Sequence, residues 1–378
     1  MLALQIGAGN IGRGFIGQLL SEAGFELYFA DVNEELITKL QERGEYTVEL
    51  ADETHQTNRV SGVHAVNSMK EKEELLQLIE RADLITTAVG PPILKRIAPD
   101  LAEGLKRRAA KGTASNVNII ACENMAEGTS HLQASIYEHL SSAEQTEIEK
   151  FTGFANAAVD RIVPEQSSED GLHVVVDPFF EWVVEEPSLK PGTEKIPGVT
   201  YVESLPPYIE RKLFTVNAGH AALAYNGAAG GCETIKESYD NEAVRKAYFG
   251  LLDETSELLS RKHGFDKEDL KAYREKINTR FQNPYLSDSV KRVGRGPVRK
   301  LGSQERLVHP ALGLLDYGVE PVYIAETLRA LLTFEHPEDE EAQALQARIK
   351  ENGREEAFCY YSGLDSSHPL TRLVFDQA

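Results

Sequence analysis

The first thirty-one residues narrow the possible folds more than any other part of the chain. A short apolar run, Leu2–Ile6, leads directly into Gly7-Ala8-Gly9-Asn10-Ile11-Gly12, a G-x-G-x-x-G. Ile11, Phe15, Leu19 and Leu20 then recur at helical spacing, and a second apolar run ends at Asp31, 19 residues beyond Gly12. Each glycine has a mechanical reason. Gly7 permits the tight turn, Gly9 lets a pyrophosphate approach the backbone, and Gly12 lets the helix pack on the strand. The helix start offers free N–H groups to phosphates, and Asp31 falls where an acid meets a ribose 2′-hydroxyl. The expected dinucleotide-binding residues are therefore Gly7, Ala8, Gly9, Asn10, Ile11, Gly12 and Asp31. Asp31 is followed by Val32 and Asn33, with no Arg to bind a 2′-phosphate. A 2′-phosphate beside Asp31 would bring like charges together. NAD is the expected cofactor.

The rest of the first half continues this alternation. Leu2–Ile6, Phe25–Ala30, Leu84–Val89 and Asn118–Cys122 read as short apolar strands. Amphipathic stretches lie between them at Glu34–Arg43, Glu71–Arg81 and Ile93–Arg108. Strands alternating with helices imply a parallel sheet covered on both faces. Further strand-like runs at Ala157–Val163, His173–Val176 and Glu181–Val184 are expected to extend that sheet. From Pro206 onward helix-period segments dominate: Ile209–Tyr225, Glu242–Lys262, Lys267–Phe281, Pro321–Phe334 and Glu338–Glu351. The expected fold is α/β: a Rossmann-type parallel-sheet domain over residues 1–195, then a mainly α-helical substrate and catalytic domain over 196–378. The boundary is expected in the Pro- and Gly-punctuated stretch Pro187–Pro207.

Charge restricts the partners. Forty Lys and Arg stand against 60 Asp and Glu, a net charge of −20. Such a surface repels the phosphate backbone of nucleic acids and the anionic face of a membrane, so neither is an expected partner. Cys122, Cys232 and Cys359 are isolated and odd in number, which fits a reducing cytoplasm and not a disulfide framework. The apolar start is too short and lacks the basic residues of a signal peptide. Against this acidic background, Lys291, Arg292, Arg295, Arg299 and Lys300 form a run with no acid, and Arg306 follows. A sugar phosphate would explain it, because arginine forks bind phosphate through charge-assisted hydrogen bonds. Arg292, Arg295, Arg299 and Lys300 are the candidate phosphate ligands. An ordinary solvated face, or pairing with the acidic surface, is the bland alternative; Glu335–Glu356, with eight acids against three bases, reads as a solvated surface helix and its flanks.

A nicotinamide enzyme also needs a group that takes the alcohol's proton as hydride leaves. Catalytic zinc requires converging Cys, His and carboxylate ligands; the scattered cysteines and histidines show no such spacing, so no metal is expected. Tyr208 and Lys212 have the Tyr-x-x-x-Lys spacing of short-chain dehydrogenases. That family is usually a single Rossmann domain with a different glycine pattern. A lysine base early in the helical half is the third solution. At 100° per residue, Lys212, Asn217 and His220 fall on one side of a helix in an otherwise apolar segment. Burial would lower the lysine's pKa toward the working pH. Asn217 can donate amide hydrogens to an alkoxide, and His220 can bind a hydroxyl. A snorkelling lysine, a capping asparagine and a core histidine are the ordinary readings of each alone. Their joint arrangement favours chemistry over an NAD-binding regulator, which needs no base.

Lys212-x-x-x-x-Asn217-x-x-His220 resembles the signature of the polyol-specific long-chain dehydrogenases. Other segments are similar to that family as well. They are GAGNIGRGFIG at Gly7–Gly17, FADVN at Phe29–Asn33, ITTAVGP at Ile85–Pro91 and IIACENM at Ile119–Met125. Downstream follow NAAVDRIVP at Asn156–Pro164, PFFEWV at Pro178–Val183, Tyr208–Asn217 and Arg280–Leu307. The resemblance implies metal-independent, reversible oxidation of a polyol by NAD, with Lys212 as general base and Asn217 and His220 beside it. It also implies that Asn156 shares an oxyanion site with Asn217. Ala157 and Ala158 depart from the Ser or Thr that the family more often has next, which bears on local packing. With the basic run, the implied substrate is a phosphorylated polyol, ahead of a free polyol or a hexuronate.

Overall fold

A computed structural model describes residues 1–112, 115–164, 171–286 and 288–376. Ser287, inside the Arg280–Leu307 segment, lies outside the described residues. The chain forms two compact units, Met1–Pro206 and Pro207–Ala378.

The first unit contains twelve strands among its described residues. They are β1 (Leu2–Ile6), β2 (Glu26–Asp31), β3 (Glu45–Leu50), β4 (Thr57–Ser61), β5 (His64–Asn67) and β6 (Leu84–Thr87), then β7 (Val117–Ala121), β8 (Thr152–Phe154), β9 (Ala157–Asp160), β10 (His173–Val176), β11 (Glu181–Glu185) and β12 (Val199–Val202). Six of them form one sheet in the order β5-β2-β1-β6-β7-β8, with every pairing parallel. This is the doubly wound order, in which the chain reverses direction beside β1. β1, β6 and β7 are buried at every position, as a sheet covered on both faces requires. Alternate side chains of β1 enter different cores. Ala3 packs with Phe15, Leu19 and Phe29, whereas Leu2, Leu4 and Ile6 pack with Leu75, Ile79 and Leu101.

The later strands do not extend this sheet. β9, β11 and β12 make a separate three-stranded sheet, and β10 joins β3 and β4 in another. Burial sets β9 and β10 apart from that layer. β9 and β10 alternate buried with half-buried positions, so each has one covered face and could not sit in the doubly covered layer. The sequence reading did not anticipate β3, β4, β5, β8 or β12.

The second unit is helical. Ala218–Ala229 runs through its middle, with Ala218, Gly219, Ala221, Ala222, Leu223, Ala224, Tyr225 and Gly227 all buried. A helix apolar all round belongs in a core. Glu242–His263, Val290–Gly294, Ile235–Asp240 and Val322–Leu331 pack around it. A Cβ on Gly227 would lie 1.9 Å from the Ser238 hydroxyl, so the close approach of Ile235–Asp240 requires glycine there. Glu242–His263 starts where the Asn241 side chain accepts from the amides of Ala243 and Val244, and it stops at Gly264 in the left-handed conformation. The segment expected as one helix, Ile209–Tyr225, is instead an α-helix at Pro206–Arg211, a π-helical turn at Lys212–Asn217 and the helix Ala218–Ala229. Among the described residues, no helix is long and apolar enough to cross a membrane.

Candidate active site

In the first unit the glycine loop joins β1 to a helix that opens with a π-helical turn, Gly12–Gly17. Gly7 has φ +96°, and a Cβ there would lie 2.4 Å from the Ala88 carbonyl oxygen. A Cβ on Gly12 would lie 1.9 Å from the Gly7 carbonyl oxygen. Gly9 differs, because nothing lies within 4 Å of where its Cβ would stand. Two of the glycines thus answer to the protein's own packing, and the third borders open space that a pyrophosphate fits. The Asp31 carboxylate accepts from the amide of Ala8 at 2.7 Å and from that of Asn33 at 2.9 Å. A carboxylate has about four acceptor positions, so capacity for ribose hydroxyls remains. These residues fit a bound NAD.

Two arginines that sequence reasoning passed over brace this loop. Arg13 donates to the carbonyls of Ala8 and Gly171 at 2.7 and 2.6 Å. Arg161 donates to the Gly14 carbonyl at 2.8 Å and to Asp177 O at 2.9 Å, and stacks against Phe15 and Phe180. Burial lowers both guanidinium pKa values, that of Arg161 to about 10. Glu123, also missed, accepts from the Thr87 hydroxyl and from the amides of Val89 and Gly90. It fixes the loop after β6. Asn156 lies between β8 and β9. Its Oδ1 accepts from the amide of Ser130, and its Nδ2 donates to the Ser130 hydroxyl at 2.8 Å. One amide hydrogen of Asn156 remains.

In the second unit, Lys212 and Asn217 are the first and last residues of the π-helical turn, and both are half-buried. In an α-helix they would stand about 140° apart. Hydrogen bonds between residues five apart widen the turn, so the side chain at i+5 returns toward the face of the one at i. The geometry brings Lys212 and Asn217 closer in direction than regular helical spacing implied. His220 follows on the buried helix, stacked on Phe281 with ring centroids 4.8 Å apart. Its Nε2 is 3.4 Å from Oδ2 of Asp288. Burial lowers the His220 pKa, Asp288 opposes that, and the charges of Arg280 and Arg292 reinforce it. Burial acts to raise the Asp288 pKa, but hydrogen bonds from His220 and Arg292 outweigh it and leave the carboxyl below its ordinary value.

The four candidate phosphate ligands have different settings. Arg292 forks onto Asp288, its Nε and Nη2 each 2.5 Å from a carboxylate oxygen, and half of its side chain stays exposed. Arg299 pairs with Glu305 at 2.8 Å. Arg295 is exposed. Lys300 is turned inward, 3% exposed, and its ammonium donates to the carbonyls of Val293 and Arg295 at 2.5 and 2.6 Å. A buried ammonium bound to two carbonyls is a structural pin, so Lys300 leaves the phosphate set. The acidic stretch after Phe334 meets this segment. Asp339 accepts from the amide of Gly296 and Glu341 from that of Arg299, each at 2.8 Å. Asp288 was not read as part of the site, although its i, i+4 spacing to Arg292 was the available signal.

A parallel dinucleotide-type sheet, followed by a helical unit carrying a lysine, an asparagine and a histidine in one short run, marks a two-domain dehydrogenase. The chain belongs to the mannitol dehydrogenase family: residues 1–198 match the mannitol dehydrogenase Rossmann domain and residues 204–358 the mannitol dehydrogenase C-terminal domain. Among its relatives is the mannitol-1-phosphate 5-dehydrogenase of Shouchella clausii, 49% identical over 99% of this chain and 99% of that protein. The mannitol-1-phosphate 5-dehydrogenase of Bacillus subtilis is also 49% identical, over 99% of this chain and 98% of its own length. The fold is shared with Pseudomonas fluorescens mannitol 2-dehydrogenase, solved as a ternary complex with NAD and D-mannitol. That match has 18% identity and a TM-score of 0.75, covering 99% of this chain and 90% of the other. A substrate-free D-sorbitol dehydrogenase matches with a TM-score of 0.84 at 16% identity, covering 98% and 91%.

Proposed function

We propose that the chain is an NAD-dependent oxidoreductase that interconverts D-mannitol 1-phosphate and D-fructose 6-phosphate. The observation that carries this reading is near-half identity, over essentially the whole chain, to proteins named mannitol-1-phosphate 5-dehydrogenase. The half-exposed Arg292 in the same unit as Lys212 supports a phosphorylated substrate. Oxidation at C5 of mannitol 1-phosphate leaves a ketone that, numbered from the other end, is fructose 6-phosphate. Lys212, as the neutral amine, takes the C5 hydroxyl proton while the C5–H electron pair departs as hydride and the C=O bond forms. When bound, NAD supplies the acceptor for that hydride. Asn217 donates an amide hydrogen to the developing alkoxide, where a preorganised donor lowers the barrier. Asn156, with its remaining amide hydrogen, is assigned the same kind of donation. His220 binds a substrate hydroxyl.

NADH absorbance tests this reading with mannitol 1-phosphate and with free mannitol, each with and without a chelator. NADH is expected with the phosphate ester in both conditions. Activity on free mannitol alone, or its abolition by the chelator, would sink the proposal. Lys212→Ala is expected to keep NAD binding and lose roughly 10²-fold or more in kcat; a near-normal kcat would remove Lys212 from its role.

A further inference from the structure

Asp288 was absent from the sequence reading, yet it is 7% exposed and touches two groups to which the proposed function gives work. Its backbone is pinned independently of its side chain. The Asp288 carbonyl accepts from the amide of Ile235 at 2.9 Å, the amide of Val290 donates to Glu233 O at 3.0 Å, and Ser289 bridges Thr234. The carboxylate is therefore delivered to a fixed place between the buried helix and the basic segment. There Oδ2 faces His220 Nε2, and both oxygens receive the Arg292 fork.

We propose that Asp288 is a positioning residue with two duties: it holds His220 in the Nε2–H form, and it aims the outer edge of Arg292 at the substrate's phosphate. The inference rests on the sugar-phosphate reading above. An ionised carboxylate only accepts hydrogen bonds, so the histidine nitrogen facing it must carry hydrogen. The groups facing the His220 ring are Asp288, Arg280 and Arg292, and burial together with the two guanidiniums keeps the ring neutral near pH 7. A neutral ring protonated at Nε2 has its lone pair at Nδ1. His220 thus accepts a hydrogen bond from a substrate hydroxyl and does not donate one. In Arg292, Nε and one hydrogen of Nη2 are committed to Asp288. The two Nη1 hydrogens and the second Nη2 hydrogen remain on a guanidinium whose plane the fork has fixed. That edge matches the geometry of a phosphate. Arg299 pairs with Glu305, Lys300 is buried, and among the described residues no side-chain partner fixes the exposed Arg295, so Arg292 is the oriented cation linked to the catalytic histidine.

The first test is nitrogen-15 NMR of histidine in the full chain, with the His220 signal assigned by His220→Gln. A ring protonated at Nε2 near neutral pH is expected; protonation at Nδ1 would overturn the proposal. The second is kinetic, using Asp288→Asn, Arg292→Ala and the double variant, with thermal midpoint and NAD binding as controls on folding. Each single variant is expected to raise the KM for mannitol 1-phosphate about tenfold or more, and to weaken competitive inhibition by inorganic phosphate. The double variant should be no worse than the worse single one. Wild-type kinetics in Asp288→Asn, or additive losses, would overturn the coupling. If Asp288→Asn does not fold, the tautomer in the unaltered chain decides. If the unaltered chain does not oxidise mannitol 1-phosphate, the substrate reading fails, while the NMR result still decides the hold on His220.

Discussion

Gly9 and Gly12 have different tasks, as their places in the G-x-G-x-x-G imply. Gly12→Ala would drive a methyl group into the Gly7 carbonyl oxygen, so it is expected to lower the thermal midpoint without any ligand. Gly9→Ala meets nothing within 4 Å. It is expected to leave the midpoint of the ligand-free chain unchanged and to raise the KM for NAD about tenfold or more, by occupying space a pyrophosphate needs. Equal loss of stability in the two variants would contradict this division. The glycine spacing was legible because a tight turn reduces to residue type and count. Asp288 was legible only in its i, i+4 spacing to Arg292; its place against His220 was not, because that depends on Ile235 and Glu233, more than fifty positions away, holding its backbone. Lys300 was misread for a related reason: a run of positive letters shows charge but not which side chain faces inward.

At the scale of elements, the basic segment is held partly by its own buried amine. Lys300 has its pKa lowered from 10.5 to about 7, chiefly by burial and further by the charges of Arg306 and Arg299. The folded chain therefore binds this proton more weakly than the unfolded chain does. Below pH 7 both states carry the proton and the contribution is flat. Between about pH 7 and the ordinary lysine range the unfolded chain holds more protons, so this group makes stability rise with pH. The neutral amine still has two hydrogens for the Val293 and Arg295 carbonyls. The thermal midpoint of the natural chain, compared with Lys300→Met, is expected to climb from about pH 7 to about pH 9. A constant difference across that range would show that Lys300 keeps an ordinary pKa. The helices Glu34–Arg43 and Val322–Leu331 lay close to their expected ranges because amphipathic spacing is local. The π-helical turns were not legible, since a widened turn is set by what anchors its two ends.

For the whole molecule, alternating strands and helices followed by helices alone were enough to indicate an α/β fold with a helical second half. The destination of the later strands was not legible, because which sheet a strand joins is a long-range pairing. Among the described residues, the first unit holds two apolar clusters within its own residues, which is the mark of an independent domain. Residues 1–206 expressed alone are expected to unfold cooperatively and to bind NAD, as calorimetry and fluorescence titration can establish. A fragment with no cooperative transition would refute that independence. Among the described residues, each unit carries one widened turn, at Gly12–Gly17 and at Lys212–Asn217. In the second unit, Glu210 is held by Lys262 and His263, and Arg211 lies among Tyr208, Phe265 and Tyr273. The buried helix beyond Asn217 is held by the four helices packed around it. A widened turn accommodates one residue more than regular helix would. Deleting a single residue between Lys212 and Asn217 is therefore expected to restore regular hydrogen bonding and to leave the two anchored halves almost in register, because the residue removed is the one the widened turn takes up. In this stretch the chain can lose a residue and still keep both of its anchored ends where they are.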